Sequence, residues 1–276
     1  VSSQLTTLVG VPSPRNITPV LECHDLLRKA HPEVPFLYVK YYPELYAYAI
    51  IRDYFLNRSK AEYLVLAPDD LTFRVQDFET LLKSVDEQRF PVFSAVCNLT
   101  MVAEQAELLN ICIKDPVVID RKTRKYNWPS VRDPKLPKGI IKVMFAGFPL
   151  MFIRRDIVQD IGFQGDLDDN ALVRKKYRIP SSFDTVFCWR CYEHQIPIYV
   201  NIDVRLLHLK GADSRFKCAW QVERRLTGIE PPLTFCTKGD RSIDLTDAYR
   251  KWISKQKLHG DPAEWVARMS GKSYLN

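Results

Sequence analysis

Extended and helical patterns alternate strictly through the first quarter of the chain, and this alternation limits the fold more than any other feature. "QLTTLVGVPSPR" is apolar and β-branched and runs into a Pro-rich loop. "TPVLECHDLLRKAH" follows with Val20, Leu21, Leu26 and Leu27 at helical spacing. "PFLYVKYY" predicts a second strand, "PELYAYAIIRDYFLNRS" a second helix with Pro43 at its start, and "AEYLVLAPDD" a third strand. A βαβαβ order predicts strands lying parallel in one sheet with helices on its faces.

The pattern continues less regularly. "VQDFETLLKSVDEQ" is an amphipathic helix and "PVFSAVCNLT" a strand, after which short strands alternate with a basic, Pro-rich loop as far as "FPLMFI". A short helix, "RRDIVQDI", stops at Gly162, and a polar segment leads into a helix from about Phe183 to Gln195. "IPIYVNIDVRLLHL" supplies the last strands, and from Gly211 onward helical pieces flank "GIEPPLTFCTKGD". The expectation is an α/β fold with a mostly parallel, Rossmann-like sheet over residues 1–210 and a helical C-terminal extension over 211–276.

Composition narrows the setting. At 276 residues and 46% hydrophobic content the chain can bury a substantial core. No stretch approaches the length of a membrane span, and "VSSQLTTLVG" lacks a signal-peptide pattern. Seven scattered Cys favour reduced thiols, so a soluble, cytoplasmic protein is expected. Cys188 and Cys191 form one C-x-x-C on a helix face, with no second pair at zinc-ribbon spacing. Asn16, Asn57 and Asn98 open N-x-S/T sequons that read as chance matches in such a setting. A net charge of +7 is compatible with an anionic partner.

The third strand ends on two adjacent carboxylates, Asp69 and Asp70. Two unit charges about 4 Å apart repel by roughly 4 kcal/mol at an effective dielectric near 20, so a chain that keeps them together supplies solvent, a cation or separate donors. Ligands of open α/β sheets bind beyond the carboxyl ends of the strands, which is where this pair falls. Pro-Asp-Asp is also good turn chemistry, so the pair alone decides nothing. Downstream, "FDTVFCWRCYEHQIPIYVNIDVRLLHLKG" places Asp184 at a helix start, then Arg190, a strand, and His208 at the strand's end.

That order resembles the glycosyltransferases of the GT-A fold, particularly the large inverting family that includes cellulose, chitin and hyaluronan synthases. The resemblance implies that Asp70 ligates a divalent metal, Mn²⁺ or Mg²⁺, that Asp69 contacts a metal-bound water or the ribose, and that His208 is a metal or diphosphate ligand. It makes Asp184 the base, with Asp169 in "DLDDNALVRK" as the alternative, since Asp168-Asp169 is a true acidic pair. "FAGFPLMFIRRDIVQDIGF" resembles the acceptor-side segment, where Gly147 lets backbone approach the sugar. "LVGVPSPR" is similar to the loop that receives the nucleotide base, which brings in Val11 and Pro12. Arg15, Lys40, Lys210 and Arg215 are cations available to neutralise a diphosphate.

Two positions depart from the family pattern: the usual spaced D-x-D is here Pro68-Asp69-Asp70, and the acidic pair is Phe183-Asp184. The implied partners are a nucleotide-sugar donor and a glycan, lipid-linked or protein acceptor, with no nucleic acid and no membrane span. Two other classes stay open. A metal-dependent nuclease or nucleotidyltransferase would also want paired acids, although no E-x-K accompanies them, and a nucleotide- or nucleic-acid-binding module would want the positive charge.

Overall fold

The apolar runs assemble into one large sheet. The computed structural model describes residues 5–13, 17–40, 44–99, 106–113, 128–161, 183–209, 234–236 and 242–244. In chain order these form β1 (Thr7–Ser13), α1 (Thr18–Ala30), β2 (Phe36–Lys40), α2 (Glu44–Asn57), β3 (Tyr63–Leu66), β4 (Leu71–Thr72) and α3 (Val75–Gln88). There follow β5 (Val92–Cys97), β6 (Ile111–Cys112), β7 (Ile140–Val143), β8 (Phe145–Ala146), β9 (Met151–Arg154) and α4 (Arg155–Asp160). The last are α5 (Phe183–Glu193), β10 (Ile198–His208), β11 (Thr234–Cys236) and β12 (Ser242–Asp244). The main sheet has the order β12-β11-β2-β1-β3-β9-β5-β10-β4, β7 also pairs with β10, and β6 and β8 form a separate two-stranded sheet.

The fold is mixed α/β, with a mostly parallel central sheet flanked by helices. Strands β1, β2 and β3 are parallel neighbours, as are β5 and β10. β9 lies antiparallel to both β3 and β5, which sets all five of the others in one direction. Residues 147–150 lead from β8, in the two-stranded sheet, into β9, and Leu150 there takes a left-handed conformation at φ 51°. The Pro149 carbonyl accepts hydrogen bonds from the Ala95 N–H at 3.2 Å and the Ser94 hydroxyl at 3.0 Å, which ties this turn to β5.

Side chains of the central strands alternate between two apolar layers, as the pleat requires. Leu8, Leu37, Leu64 and Leu66 face α2, α4 and α5 together with the β6–β8 sheet. Val9, Val11, Tyr63 and Val65 pack in the other layer with Leu27 of α1 and Phe78, Leu81 and Val85 of α3. Gly10 has a packing reason: a Cβ there would lie 2.6 Å from Cγ2 of Ile51, so its absence lets α2 sit directly on β1.

β10 contains an irregularity that decides which way its end faces. Five steps along it, from Val200 to Arg205, face only two along β5, from Ser94 to Val96. The excess is odd, so alternation is reset: Ile198, Val200 and Ile202 belong to one layer, and Val204 and Leu206 to the other. Asp203 pins the bulge by accepting the Gly139 N–H at 3.0 Å, and the Ile202 N–H donates to the Gly139 carbonyl at 2.9 Å. His208 then continues the parity of Val204 and Leu206.

Of the stretch 211–276, expected as a helical extension, the described residues are β11 and β12. They add to the sheet at its β2 edge, through Thr234 opposite Tyr38. The rest of that expectation lies outside the described residues. No helix among the described residues is long and apolar enough to cross a membrane.

Candidate active site

Strands β1, β2, β3, β5 and β10 all present their carboxyl ends to the same edge of the sheet, and most of the sequence-predicted residues gather there. Val11 and Pro12 lie in β1 opposite Tyr38 and Val39 of β2, and Val11 is fully buried. Lys40 closes β2 opposite Ser13. The Ala67 N–H donates to the Gly10 carbonyl at 3.1 Å, so the turn bearing Asp69 and Asp70 projects beyond β3 next to the end of β1. Both aspartates are buried, at 4% and 9% exposure.

Asp70 meets His208. Strand β10 runs past the end of β5 and pairs antiparallel with β4, setting His208 opposite Leu71. The Leu209 N–H donates to the Asp70 carbonyl at 2.7 Å, and the His208 Nε2 lies 3.2 Å from Asp70 Oδ2. The other ring nitrogen, Nδ1, lies 3.3 Å from the Asn98 carbonyl oxygen. A carbonyl can only accept, so this contact favours the tautomer with the proton on Nδ1, which leaves Nε2 a lone pair for a cation held together with the carboxylate. This arrangement, one nitrogen donating to a backbone carbonyl and the other free to ligate, is the usual state of a metal-binding histidine. Among the described residues no third His, Cys, Asp or Glu joins the pair.

A second cluster forms around Gly147. A Cβ at that position would lie 2.3 Å from Asn110 Nδ2 and 3.7 Å from Asp184 Oδ2, so a carboxamide and a carboxylate stand over one bare α-carbon. Asp184 is in the first turn of α5, and its Oδ1 accepts the Thr185 N–H at 2.7 Å. One turn further, the Cys188 thiol donates to the Ala146 carbonyl at 3.2 Å, fastening α5 to β8. Burial pushes that thiol well above its ordinary value, with Cys191 and Asp184 adding to the effect, and burial alone pushes Cys112 up to about 12. These sulfurs are packing groups and not nucleophiles.

The two clusters share a backbone connection. The Asn110 N–H donates to the Cys97 carbonyl at 2.8 Å, and the Gly147 N–H donates to the Asn110 carbonyl at 3.1 Å. Thus the end of β5, next to Asn98, is linked through Asn110 to the glycine beside Asp184. Neither asparagine is singled out by the sequence. Asn98 carries only its chance sequon, and Asn110 sits in "LLNICIK" without a motif.

No protein-family model matches the chain, and no curated relative does. Among solved structures the chain is similar to the A197 protein from STIV. The identity is 15%, the match covers 87% of this chain and 94% of that one, and the TM-score is 0.49. Arg15, Asp169, Lys210 and Arg215 lie outside the described residues, as does the side chain of Lys40.

Proposed function

We propose that the chain is a metal-dependent glycosyltransferase of the GT-A fold, transferring a sugar from a nucleotide-sugar donor to an acceptor hydroxyl. The observation that carries this reading is the pairing of Asp70 with His208 at the carboxyl edge of the sheet, with Nδ1 of the imidazole committed to a backbone carbonyl. Two ligands at right angles around an ion with bonds of about 2.1 Å stand roughly 3 Å apart, close to the Asp70–His208 separation. Carboxylate and imidazole donors fit Mn²⁺, and also Mg²⁺, whose remaining positions are commonly filled by phosphate oxygens and water. When bound, such an ion stabilises the negative charge of a departing diphosphate.

The chain's own groups then divide the work. The nucleotide base would lie at the end of β1, where the Val11 side chain is turned into the core and leaves the main chain of Val11 and Pro12 to meet it, and Asp69 stands by the ribose or a bound water. Asp184 accepts the proton of the acceptor hydroxyl, and the missing side chain at Gly147 lets Asn110 and Asp184 stand together over its α-carbon. Attack in one step inverts the anomeric configuration.

A thermal-shift screen of nucleoside diphosphates and sugar nucleotides, with and without Mn²⁺, tests the reading. Stabilisation that needs both nucleotide and Mn²⁺ is expected. Metal-independent binding that weakens steeply with salt would instead favour a polyanion-binding module.

A further inference from the structure

We infer that Asn98 is a positioning residue that fixes the tautomer and orientation of His208, an inference that rests on the metal-dependent reading above. β5 ends at Cys97, opposite Leu206, and β10 continues for two residues without it. The Asn98 side chain takes the place of the missing strand. Its Oδ1 accepts the His208 N–H at 2.7 Å, and its Nδ2 donates to the His208 carbonyl at 3.0 Å. Since a backbone N–H can only donate and a carbonyl only accept, the orientation of this carboxamide is determined by its partners.

The same residue makes a third contact. Its main-chain carbonyl lies against His208 Nδ1, so one asparagine holds the backbone of His208 on both sides and offers an acceptor to a proton on Nδ1. Leu209 donating to the Asp70 carbonyl secures the chain one residue later. Fixed between the two, the ring cannot turn without breaking a hydrogen bond. Asn98 is only 9% exposed and both ends of its carboxamide are engaged, which also rules out its sequon as a glycan acceptor in this fold.

Side-chain chemistry makes the requirement narrow. Aspartate has the same shape but places a second acceptor against the His208 carbonyl, and alanine supplies neither partner. Outer hydrogen bonds that orient a metal-binding histidine typically change metal affinity by about 10- to 100-fold.

The test uses the whole chain, Asn98→Asp and Asn98→Ala. ¹⁵N-histidine NMR at about pH 8, where an ordinary imidazole is neutral, reads the tautomer, with the His208 signals identified by their loss in His208→Gln. Mn²⁺ affinity is measured in parallel by electron paramagnetic resonance with Mn²⁺ alone. Wild type is expected to hold the Nδ1–H tautomer. Asn98→Asp keeps the main-chain carbonyl but repels the His208 backbone that the carboxamide held against it, so it is expected to lose the Nδ1–H preference and to bind Mn²⁺ at least about 10-fold more weakly, with the other histidine signals unmoved. A wild-type Nε2–H tautomer overturns the inference, and so does an unchanged tautomer with unchanged Mn²⁺ affinity in both variants. If wild type binds no Mn²⁺ yet the variants shift the tautomer, the positioning role stands and the metal-dependent reading fails.

Discussion

His208 Nε2 and Asp70 Oδ2 are 3.2 Å apart although 138 residues separate them in sequence. The contact follows from β10 outrunning β5 and pairing with β4, the two-residue strand immediately after Asp70. Asp70→Asn preserves shape and keeps the backbone carbonyl that receives the Leu209 N–H, while removing the charge. Metal-dependent nucleoside diphosphate binding should fall at least about 10-fold with the melting temperature changed by only a few degrees. Calorimetric titration with Mn²⁺ present and absent measures this, and an unaltered Mn²⁺-dependent affinity would remove Asp70 from the site.

Asp184 stands over the α-carbon of Gly147 from the first turn of α5. Asp184→Asn should leave nucleotide affinity intact and lower sugar transfer by about 10²-fold or more. Should Asp169→Asn produce that loss while Asp184→Asn stays active, the base belongs to the rival acidic pair.

Gly147→Ala would place its methyl carbon 2.3 Å from Asn110 Nδ2, the end of a side chain that can swing away. The expected cost in stability is about 1–3 kcal/mol, in the range of local overpacking. Transfer should fall by more than that loss explains, because Asn110 and Asp184 no longer share the space above the glycine. Urea denaturation and steady-state rates on the same preparation separate the two effects; a rate that matches wild type would show that the space is not used.

The strand and helix order of the first half was legible because each element carries its own period, and α3 spans the stretch Val75–Gln88 that its amphipathic pattern predicts. Asp70 and His208 were legible as polar residues ending apolar strands. The direction of β9 was not, since it depends on antiparallel pairing with β3 and β5, both distant in sequence. Nor was the bulge in β10, whose anchor is a hydrogen bond between Gly139 and Asp203. Asn98 and Asn110 act through main-chain partners distant in sequence or through a glycine's missing side chain, and neither leaves a local pattern. The C-terminal strands are three residues each, too short for periodicity to separate from loop.

His24, 1% exposed in α1, lies among the rings of Phe36, Tyr38 and Phe73, with centroids 5.8–6.0 Å away. Neither ring nitrogen has a hydrogen-bond partner among the described residues. Burial, reinforced by the positive charge of Arg28, lowers its pKa from 6.5 to about 4. Between those values the unfolded chain binds a proton that the folded chain refuses. Stability from this group is therefore complete above about pH 6.5 and is lost as pH falls toward 4, by a total of about 3 kcal/mol. His24→Leu removes the titration, so its unfolding free energy should decline less than that of wild type between pH 7 and pH 5. Parallel pH dependences for the two proteins in urea denaturation would show that His24 is not the acid-sensitive group.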